Sequence, residues 1–162
     1  MEYIHEKRNV LPKTFCRELI EKFESDSRKR PGKLQGGAMD DTVKKCTDLD
    51  IERITGWGVE SKRLDDAFYT AFVDYLINLK LNIFGEEKAY IVNEIFPGKN
   101  VVRSNFQIGR YGVGGYFKWH VDFTRTEERI CNFIIYLNDH EACTEFLNGK
   151  KIKPEAGKIV FF

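Results

Sequence analysis

Two residues of one tripeptide, His120-Val121-Asp122, carry side chains that could bind a metal ion together. If this segment is a β-strand, alternate side chains project to one face, so His120 and Asp122 converge while Val121 points away. Trp119, Val121 and Phe123 would then share the opposite, apolar face. A neutral imidazole beside a carboxylate suits a 2-His-1-carboxylate Fe(II) site, which leaves coordination positions open for other molecules. The tripeptide alone recurs by chance in many proteins, so its surroundings decide how it is interpreted.

The motifs around this tripeptide follow one another in a particular order. Tyr-Gly-Val-Gly-Gly-Tyr precedes it at 111–116, and Arg-Ile-Cys-Asn-Phe-Ile-Ile-Tyr-Leu-Asn-Asp follows at 129–139. Next come Thr-Glu-Phe at 144–146 and a stretch over 152–162 that begins Ile-Lys-Pro-Glu-Ala-Gly. This order resembles the prolyl 4-hydroxylases, in which Y-x-x-G precedes H-x-D, and R…YLN, G-G-x-T-x-F and P-x-x-G follow before an apolar strand. The resemblance covers residues 101–162, with looser similarity in the preceding helices.

The resemblance implies a chemistry and a set of small molecules. Prolyl 4-hydroxylases are Fe(II)- and 2-oxoglutarate-dependent oxygenases, so we expect Fe(II), 2-oxoglutarate as co-substrate and O₂, with ascorbate as a further candidate. His120 and Asp122 match the first two iron ligands of that family and are the expected catalytic residues. Tyr136 matches the tyrosine that binds the far carboxylate of 2-oxoglutarate.

Four more residues are candidates for binding the co-substrate or the substrate. Strand alternation places Asn132 on the face of Tyr136, and an amide beside a phenol fits a co-substrate pocket because buried polar groups need partners. By resemblance, Tyr111 lies near the co-substrate and the target residue, Thr144 lines the pocket, and Arg129 lies close to the substrate entrance. Other accounts stay open: Tyr136 could bond solvent or backbone, Tyr111 could belong to an exposed polar face, and Arg129 could form a surface ion pair.

The chain departs from the pattern of these hydroxylases in two places. Glu141-Ala142 replaces the Gly-Gly before x-T-x-F, so side chains occupy a turn that glycines would relax. In the family, a distal histidine and then a Lys or Arg that pairs with 2-oxoglutarate follow the P-x-x-G strand, and the sequence reaches Phe162 before either. We therefore expect the third iron ligand, this basic residue and the last strands to lie beyond Phe162. A non-catalytic jelly-roll binding module with an incomplete metal site is the alternative.

The predicted elements that position these residues change from helices to strands about halfway along the chain. Residues 1–86 are predicted to be a helical support region, with helices that start at Pro12 to Thr14 and at Ser61. Residues 87–162 are predicted to form the core of a jelly roll, with strands at 89–96, 101–111, 117–123, 129–137, 144–147, 150–153 and 158–162. The predicted fold is α+β, mainly β: one oxygenase domain over 1–162, whose double-stranded β-helix (jelly roll) is buttressed by N-terminal helices and lacks its C-terminal strands.

Apolar spacing predicts which faces of the two helices are buried. The stripes are Phe15, Leu19 and Phe23 in the first helix, and Leu64, Phe68, Phe72 and Leu76, with Tyr75 and Leu79 beside them, in the second. The charged connection at 24–50 is predicted to be a solvated loop. Its Arg28-Lys29-Arg30 run could instead contact a phosphate or a substrate.

The charge composition of the chain indicates which classes of binding partner to expect. Lys and Arg total 26 against 25 Asp and Glu, so no overall field attracts nucleic acid or an anionic membrane, and we expect neither. A nucleic-acid demethylase on the same fold would need a basic groove.

Four scattered cysteines predict no zinc site and no disulfide framework, and the lack of an apolar leader or span favours the cytoplasm. The expected target is a prolyl residue of a peptide or protein, or a small amino-acid-like substrate; the oligomeric state stays open.

Overall fold

A computed structural model of the chain describes residues 3–34, 37–84, 103–122 and 131–162. The described part is a mixed α/β structure with two helices, α1 (Lys13–Ser25) and α2 (Gly58–Phe84). Its strands are β1 (His5–Lys7), β2 (Arg30–Pro31), β3 (Lys44–Lys45), β4 (Thr47–Asp50), β5 (Gln107–Arg110), β6 (Tyr116–Phe117), β7 (Phe133–Ile135), β8 (Thr144–Glu145), β9 (Lys151–Ile152) and β10 (Ile159–Phe161). Neither described helix has the length and apolarity needed to cross a membrane.

The described strands pair in four small antiparallel sheets, ordered β1-β10-β7, β2-β4-β5, β3-β6 and β8-β9. In the first sheet, Phe161 of β10 lies between His5 of β1 and Phe133 of β7, so the N-terminal strand completes a sheet built from the end of the chain. The predicted combination of helices with antiparallel strands is confirmed. These four sheets do not by themselves define the predicted double-stranded β-helix.

The hydrophobic core lies between the two helices and the β1-β10-β7 sheet. The predicted stripes of α1 and α2 are buried, which confirms both helical faces. Phe68 is central, because its ring centroid lies 4.5 Å from that of Phe133 and 5.9 Å from that of Phe161. Tyr75 stacks on Phe161 at 4.8 Å with the ring planes 9° apart. Burial of each such side chain contributes about 2 kcal/mol, so these rings hold α2 against the sheet that leads to Tyr136.

The connection at 24–50 is not the solvated loop that its charge predicted. It contains β2, β3 and β4, and Lys44 and Asp48 within it are buried. The prediction was wrong because charged residues on neighbouring strands neutralise one another: Lys44 Nζ of β3 donates to Asp48 Oδ2 of β4 at 2.8 Å. A count of charges cannot distinguish such a pair from two solvated side chains.

The ends of several elements also differ from the prediction. The second helix begins at Gly58, and the Ser61 N–H donates to the Trp57 carbonyl at 2.9 Å, so Ser61 lies inside the helix and does not cap it. The strands are shorter than alternation indicated: 107–110 within 101–111, 116–117 against 117–123, and 133–135 within 129–137. The predicted strand 89–96 lies outside the described residues.

The first two cations of the Arg28-Lys29-Arg30 run bind within the chain. Arg28 Nη2 donates to Asp26 Oδ2 at 2.6 Å, and that carboxylate also accepts from Trp57 Nε1 at 2.9 Å. Lys29 Nζ donates to the carbonyls of Phe23 and Glu24, where the last turn of α1 favours a cation. These contacts give Arg28 and Lys29 a structural role at the end of α1.

The Asp26 carboxylate makes the stability of the fold depend on pH. The Arg28 guanidinium and the Trp57 indole hold the pKa of Asp26 well below its usual range. A carboxyl whose pKa is lower in the folded than in the unfolded state stabilises the fold above about pH 4, and this stabilisation is lost as the pH falls toward the folded pKa. We expect the melting temperature of the wild type to fall more steeply than that of Asp26→Asn between about pH 5 and pH 3. Calorimetry measures both, with Asp66→Asn, an exposed carboxylate on α2, as control; equal slopes for wild type and Asp26→Asn would contradict the assignment.

Candidate metal and co-substrate site

His120 and Asp122 lie side by side in the segment that follows β6. The distance from His120 Nε2 to Asp122 Oδ1 is 3.3 Å, and each side chain is 34% exposed. The two side chains therefore converge, although the predicted reason was wrong. Strand β6 ends at Phe117, so the non-strand segment after it, and not strand alternation, brings the imidazole and the carboxylate together.

The neighbours of this pair do not form the buried apolar face that alternation predicted. Trp119 is 62% exposed and Val121 is 77% exposed. Because the strand stops before them, these two side chains are not covered by any sheet of the described residues. Phe123, the third member of that predicted face, lies outside the described residues.

Two contacts hold the imidazole of His120 in place. Its ring stacks on Phe117, with centroids 3.5 Å apart and planes 12° apart. Its Nδ1 lies 2.8 Å from the carbonyl oxygen of Lys118. A carbonyl only accepts hydrogen bonds, so Nδ1 carries a proton, and the neutral tautomer with this proton has its lone pair on Nε2. Metal-binding histidines are commonly held in this tautomer by a backbone carbonyl.

The His120–Asp122 pair has the donor set and the spacing of two adjacent ligands of one cation. A lone pair on Nε2 faces a carboxylate oxygen, and two acceptors are satisfied when a cation lies between them. Adjacent ligands at about 2.1 Å from an octahedral cation stand about 3.0 Å apart, close to the observed distance. These two residues therefore fit Fe(II). Among the described residues, no group of three His, Cys, Asp or Glu side chains forms a metal site.

The predicted co-substrate residues Tyr136 and Thr144 are in direct contact. The Tyr136 hydroxyl donates to Thr144 Oγ1 at 2.7 Å, and both side chains are half-buried. Burial raises the pKa of the Tyr136 phenol, which keeps it protonated and able to donate. Since hydroxyl groups rotate, this pair can turn its O–H donors toward a carboxylate.

The two faces of the segment around β7 are confirmed. Cys131, Phe133, Ile135 and Leu137 pack against the hydrophobic core, so Asn132 and Tyr136 project from the other face. Backbone hydrogen bonds continue the β7–β10 pairing at both ends, from Asn132 N–H to the Phe162 carbonyl at 2.7 Å and from Tyr136 N–H to the Lys158 carbonyl at 2.9 Å. Asn132 is half-buried and Arg129 lies outside the described residues, so their binding roles stay predictions.

Tyr111 follows β5, and its phenol lies within electrostatic range of Cys46, Asp48 and Asp122. Although the side chain is partly exposed, burial around the phenol raises its pKa, and the nearby Cys46, Asp48 and Asp122 raise it further. Within the described part of the chain, no hydrogen bond or ion pair joins the Tyr136–Thr144 pair to His120 or Asp122.

Three residues beside Tyr111 were missed by the sequence reasoning. Lys44, Cys46 and Asp48 lie on and between β3 and β4, and Cys46 Sγ donates to Asp48 Oδ1 at 3.1 Å. Their i, i+2, i+4 spacing was the available signal, because it places side chains on one face of an extended chain. The many charges of the 24–50 segment favoured a solvated loop, so this spacing was not recognised.

The Glu141-Ala142 turn accommodates its side chains. Among the described residues, Asn9 is the one non-glycine residue with positive φ, so neither Glu141 nor Ala142 needs the left-handed conformation that glycine favours. The Ala142 N–H donates to His140 Nδ1 at 2.9 Å. The departure from Gly-Gly therefore changes the turn without straining it.

A cation-binding experiment tests the His120–Asp122 pair directly. We expect Mn(II), a redox-stable probe, to bind at least about tenfold more weakly to His120→Ala and to Asp122→Ala, a loss of about 1.4 kcal/mol, because each change removes one ligand. Calorimetric titration measures the affinities. His140→Ala is the matched control, because His140 lies in the turn before β8. The same affinity in all four proteins would show that the pair does not bind the cation.

The chain is similar in sequence and fold to known oxygenases. Residues 106–162 match the family model of the 2OG-Fe(II) oxygenase superfamily. The fold is shared with the viral collagen prolyl hydroxylase of Paramecium Bursaria Chlorella virus-1, solved as a 2OG complex, at 19% identity and a TM-score of 0.56 over 99% of this chain and 77% of that one. It is also shared with a Pseudomonas putida prolyl-4-hydroxylase at 15% identity and a TM-score of 0.60 over 100% of this chain and 81% of that one. No curated protein matches the sequence. Residues 106–162 thus resemble the 2OG-Fe(II) oxygenases in sequence, and the chain shares its fold with two prolyl hydroxylases.

Proposed function

We propose that this protein is an Fe(II)- and 2-oxoglutarate-dependent dioxygenase that hydroxylates a C–H bond, with a prolyl residue of a peptide or protein as its target. The observation that carries the proposal is the His120–Asp122 pair, whose Nε2 and Oδ1 atoms lie 3.3 Å apart inside the matched segment 106–162. The fold shared with two prolyl hydroxylases supports the choice of target, since the names of both proteins give a prolyl residue as the target.

His120 and Asp122 would hold the iron, and we assign no third ligand. When bound, Fe(II) with 2-oxoglutarate and O₂ supplies the oxidising chemistry, while the protein supplies orientation and a shielded pocket. The Lys118 carbonyl holds the Nδ1 proton of His120 and so directs the Nε2 lone pair toward Asp122. The Phe117 ring covers one face of the imidazole and keeps water from it.

Tyr136 and Thr144 would bind the far carboxylate of 2-oxoglutarate. Their hydroxyl groups already contact each other on the β7 face that points away from the core, and Asn132 lies on the same face. Arg129 would lie at the substrate entrance, as the resemblance implies. The exposed side chains of Trp119 and Val121 beside the metal pair offer an apolar surface on which an extended prolyl peptide could lie.

Turnover of 2-oxoglutarate tests the proposed reaction. We expect the wild type to form succinate when Fe(II), 2-oxoglutarate and a proline-rich peptide are present. Because they remove iron ligands, His120→Ala and Asp122→Ala should each lower succinate formation by at least about 100-fold, or about 2.7 kcal/mol in activation free energy. The His140→Ala control should keep wild-type turnover. No succinate from the wild type, or equal output from the ligand variants, would contradict the oxygenase and favour a jelly-roll binding module.

The role of Tyr136 is tested separately from that of the metal ligands. Tyr136→Phe removes a hydrogen bond to a charged group, so it should weaken 2-oxoglutarate binding about tenfold while Mn(II) affinity stays unchanged. Tyr69→Phe, an exposed tyrosine of α2, is the matched control. Calorimetric titrations with each ligand measure both affinities. An equal loss of both would show that Tyr136 supports the structure of the site and does not bind the co-substrate.

A further inference from the structure

A buried ion pair joins two N-terminal strands beside the proposed metal site. Lys44 of β3 is 9% exposed and Asp48 of β4 is 7% exposed, and Lys44 Nζ lies 2.8 Å from Asp48 Oδ2. Two charges removed from water lose solvation that their mutual attraction only partly returns, and apolar residues often replace such pairs without loss of stability. We therefore interpret this ion pair as a contact that positions its neighbours and not as a large source of stability.

The surrounding backbone makes room for the Asp48 carboxylate. Asp48 lies opposite Gly109 in the β4–β5 pairing, and a Cβ atom at Gly109 would come within 3.0 Å of Oδ1. A Cβ atom at Gly32 would come within 3.2 Å of Oδ2 and within 2.3 Å of Cys46 Sγ. Two glycines thus leave space for this carboxylate and for the thiol that donates to it.

One set of contacts leads from this pair to His120. Lys44 lies opposite Phe117 in the β3–β6 pairing, and its Nζ is 5.3 Å from the centre of the Phe117 ring, within the range of a cation–π contact. The same ring stacks on the imidazole of His120 at 3.5 Å. The ion pair thus fixes the ring on which the first proposed ligand rests.

A second contact of the ion pair leads to Cys46, the residue between β3 and β4. Cys46 Sγ donates to Asp48 Oδ1 at 3.1 Å, so the carboxylate that accepts from Lys44 also accepts from the thiol. Burial and this carboxylate raise the pKa of the Cys46 thiol, and the Lys44 cation opposes that rise. The thiol therefore responds to both members of the ion pair.

We infer that the Lys44–Asp48 ion pair is the anchor that positions the first proposed metal ligand, His120, through the ring of Phe117. Lys44 and Asp48 are positioning residues, since they act through Phe117. The inference about the metal rests on the proposed function; the ion pair and its contact with Cys46 do not.

Mn(II) affinity tests the positioning of His120. Lys44→Met removes the cation over the Phe117 ring, whereas Lys44→Arg keeps one there. We expect Mn(II) to bind about threefold to tenfold more weakly to Lys44→Met and to Asp48→Asn, the range just below that of partners bonded directly to ligands. Lys44→Arg should bind as the wild type does. Lys62→Met, which removes an exposed cation of α2, is the matched control.

The thiol of Cys46 reports on the ion pair without any metal. Burial and the Asp48 carboxylate raise the pKa of Cys46 to about 11, and the Lys44 cation opposes this. The pH midpoint of alkylation at Cys46, followed by mass spectrometry, should therefore fall in Asp48→Asn and rise in Lys44→Met. Shifts of opposite sign support the ion pair, whereas unchanged midpoints overturn it.

The outcomes separate the inference from the proposed function. Because Lys44→Met and Asp48→Asn each remove half of a buried ion pair and lower stability, melting temperatures are recorded for each. Phe117→Leu, which removes the ring without leaving a buried charge unpaired, is the second variant expected to weaken Mn(II) binding. Wild-type Mn(II) affinity in folded Lys44→Met and Phe117→Leu proteins would overturn the positioning role. A wild type that binds no Mn(II) would contradict the proposed function, and the alkylation midpoints would still decide the ion pair.

Discussion

The structure depends on pairing between strands from the two ends of the chain. In the described residues, every sheet except β8-β9 joins a strand from residues 5–50 to one from residues 107–161. The longest such pairing runs from Thr47 opposite Arg110 to Asp50 opposite Gln107. Neither part can complete these sheets alone, so the backbone that leads to His120 is held in place by strands about 70 residues earlier. Such non-local pairs form only after a costly loop closure, which the aromatic core around α2 offsets.

Buried charge is the second constraint on this fold. Arg103 bonds Glu52 at 2.6 Å, also contacts Asp65, and its guanidinium lies over the Phe106 ring. Lys158 is 1% exposed and lies between Glu6 at 3.2 Å and Glu155 at 2.8 Å. Removal of the acidic partners would leave the largely buried Arg103 or Lys158 charge without compensation, which destabilises the fold. The balanced charge of the chain is thus partly structural, which is why charge density misidentified the 24–50 segment as solvated.

Different parts of the fold hold the proposed metal ligands and the proposed co-substrate residues. The segment after β6 holds the two candidate ligands, while the outer face of β7 holds the hydroxyl pair of Tyr136 and Thr144. The first group rests on the N-terminal strands and the second on the β1-β10-β7 sheet. A fold shared at 19% and 15% identity with prolyl hydroxylases accounts for this framework, and the chemistry depends on the few side chains placed upon it.

The sequence by itself determined the elements whose signals are local. Helical spacing in α1 and α2 identified the buried stripes, alternation around β7 separated Tyr136 from the core, and motif order identified the oxygenase resemblance. Tertiary structure alone decided how His120 and Asp122 meet, because β6 ends at Phe117 and the non-strand segment beyond it sets their geometry. It also decided that Lys44 and Asp48 are buried, since a charge becomes an interior group only when a distant strand supplies its surroundings. Local spacing is encoded residue by residue, whereas burial and convergence arise from strands that pair across most of the chain.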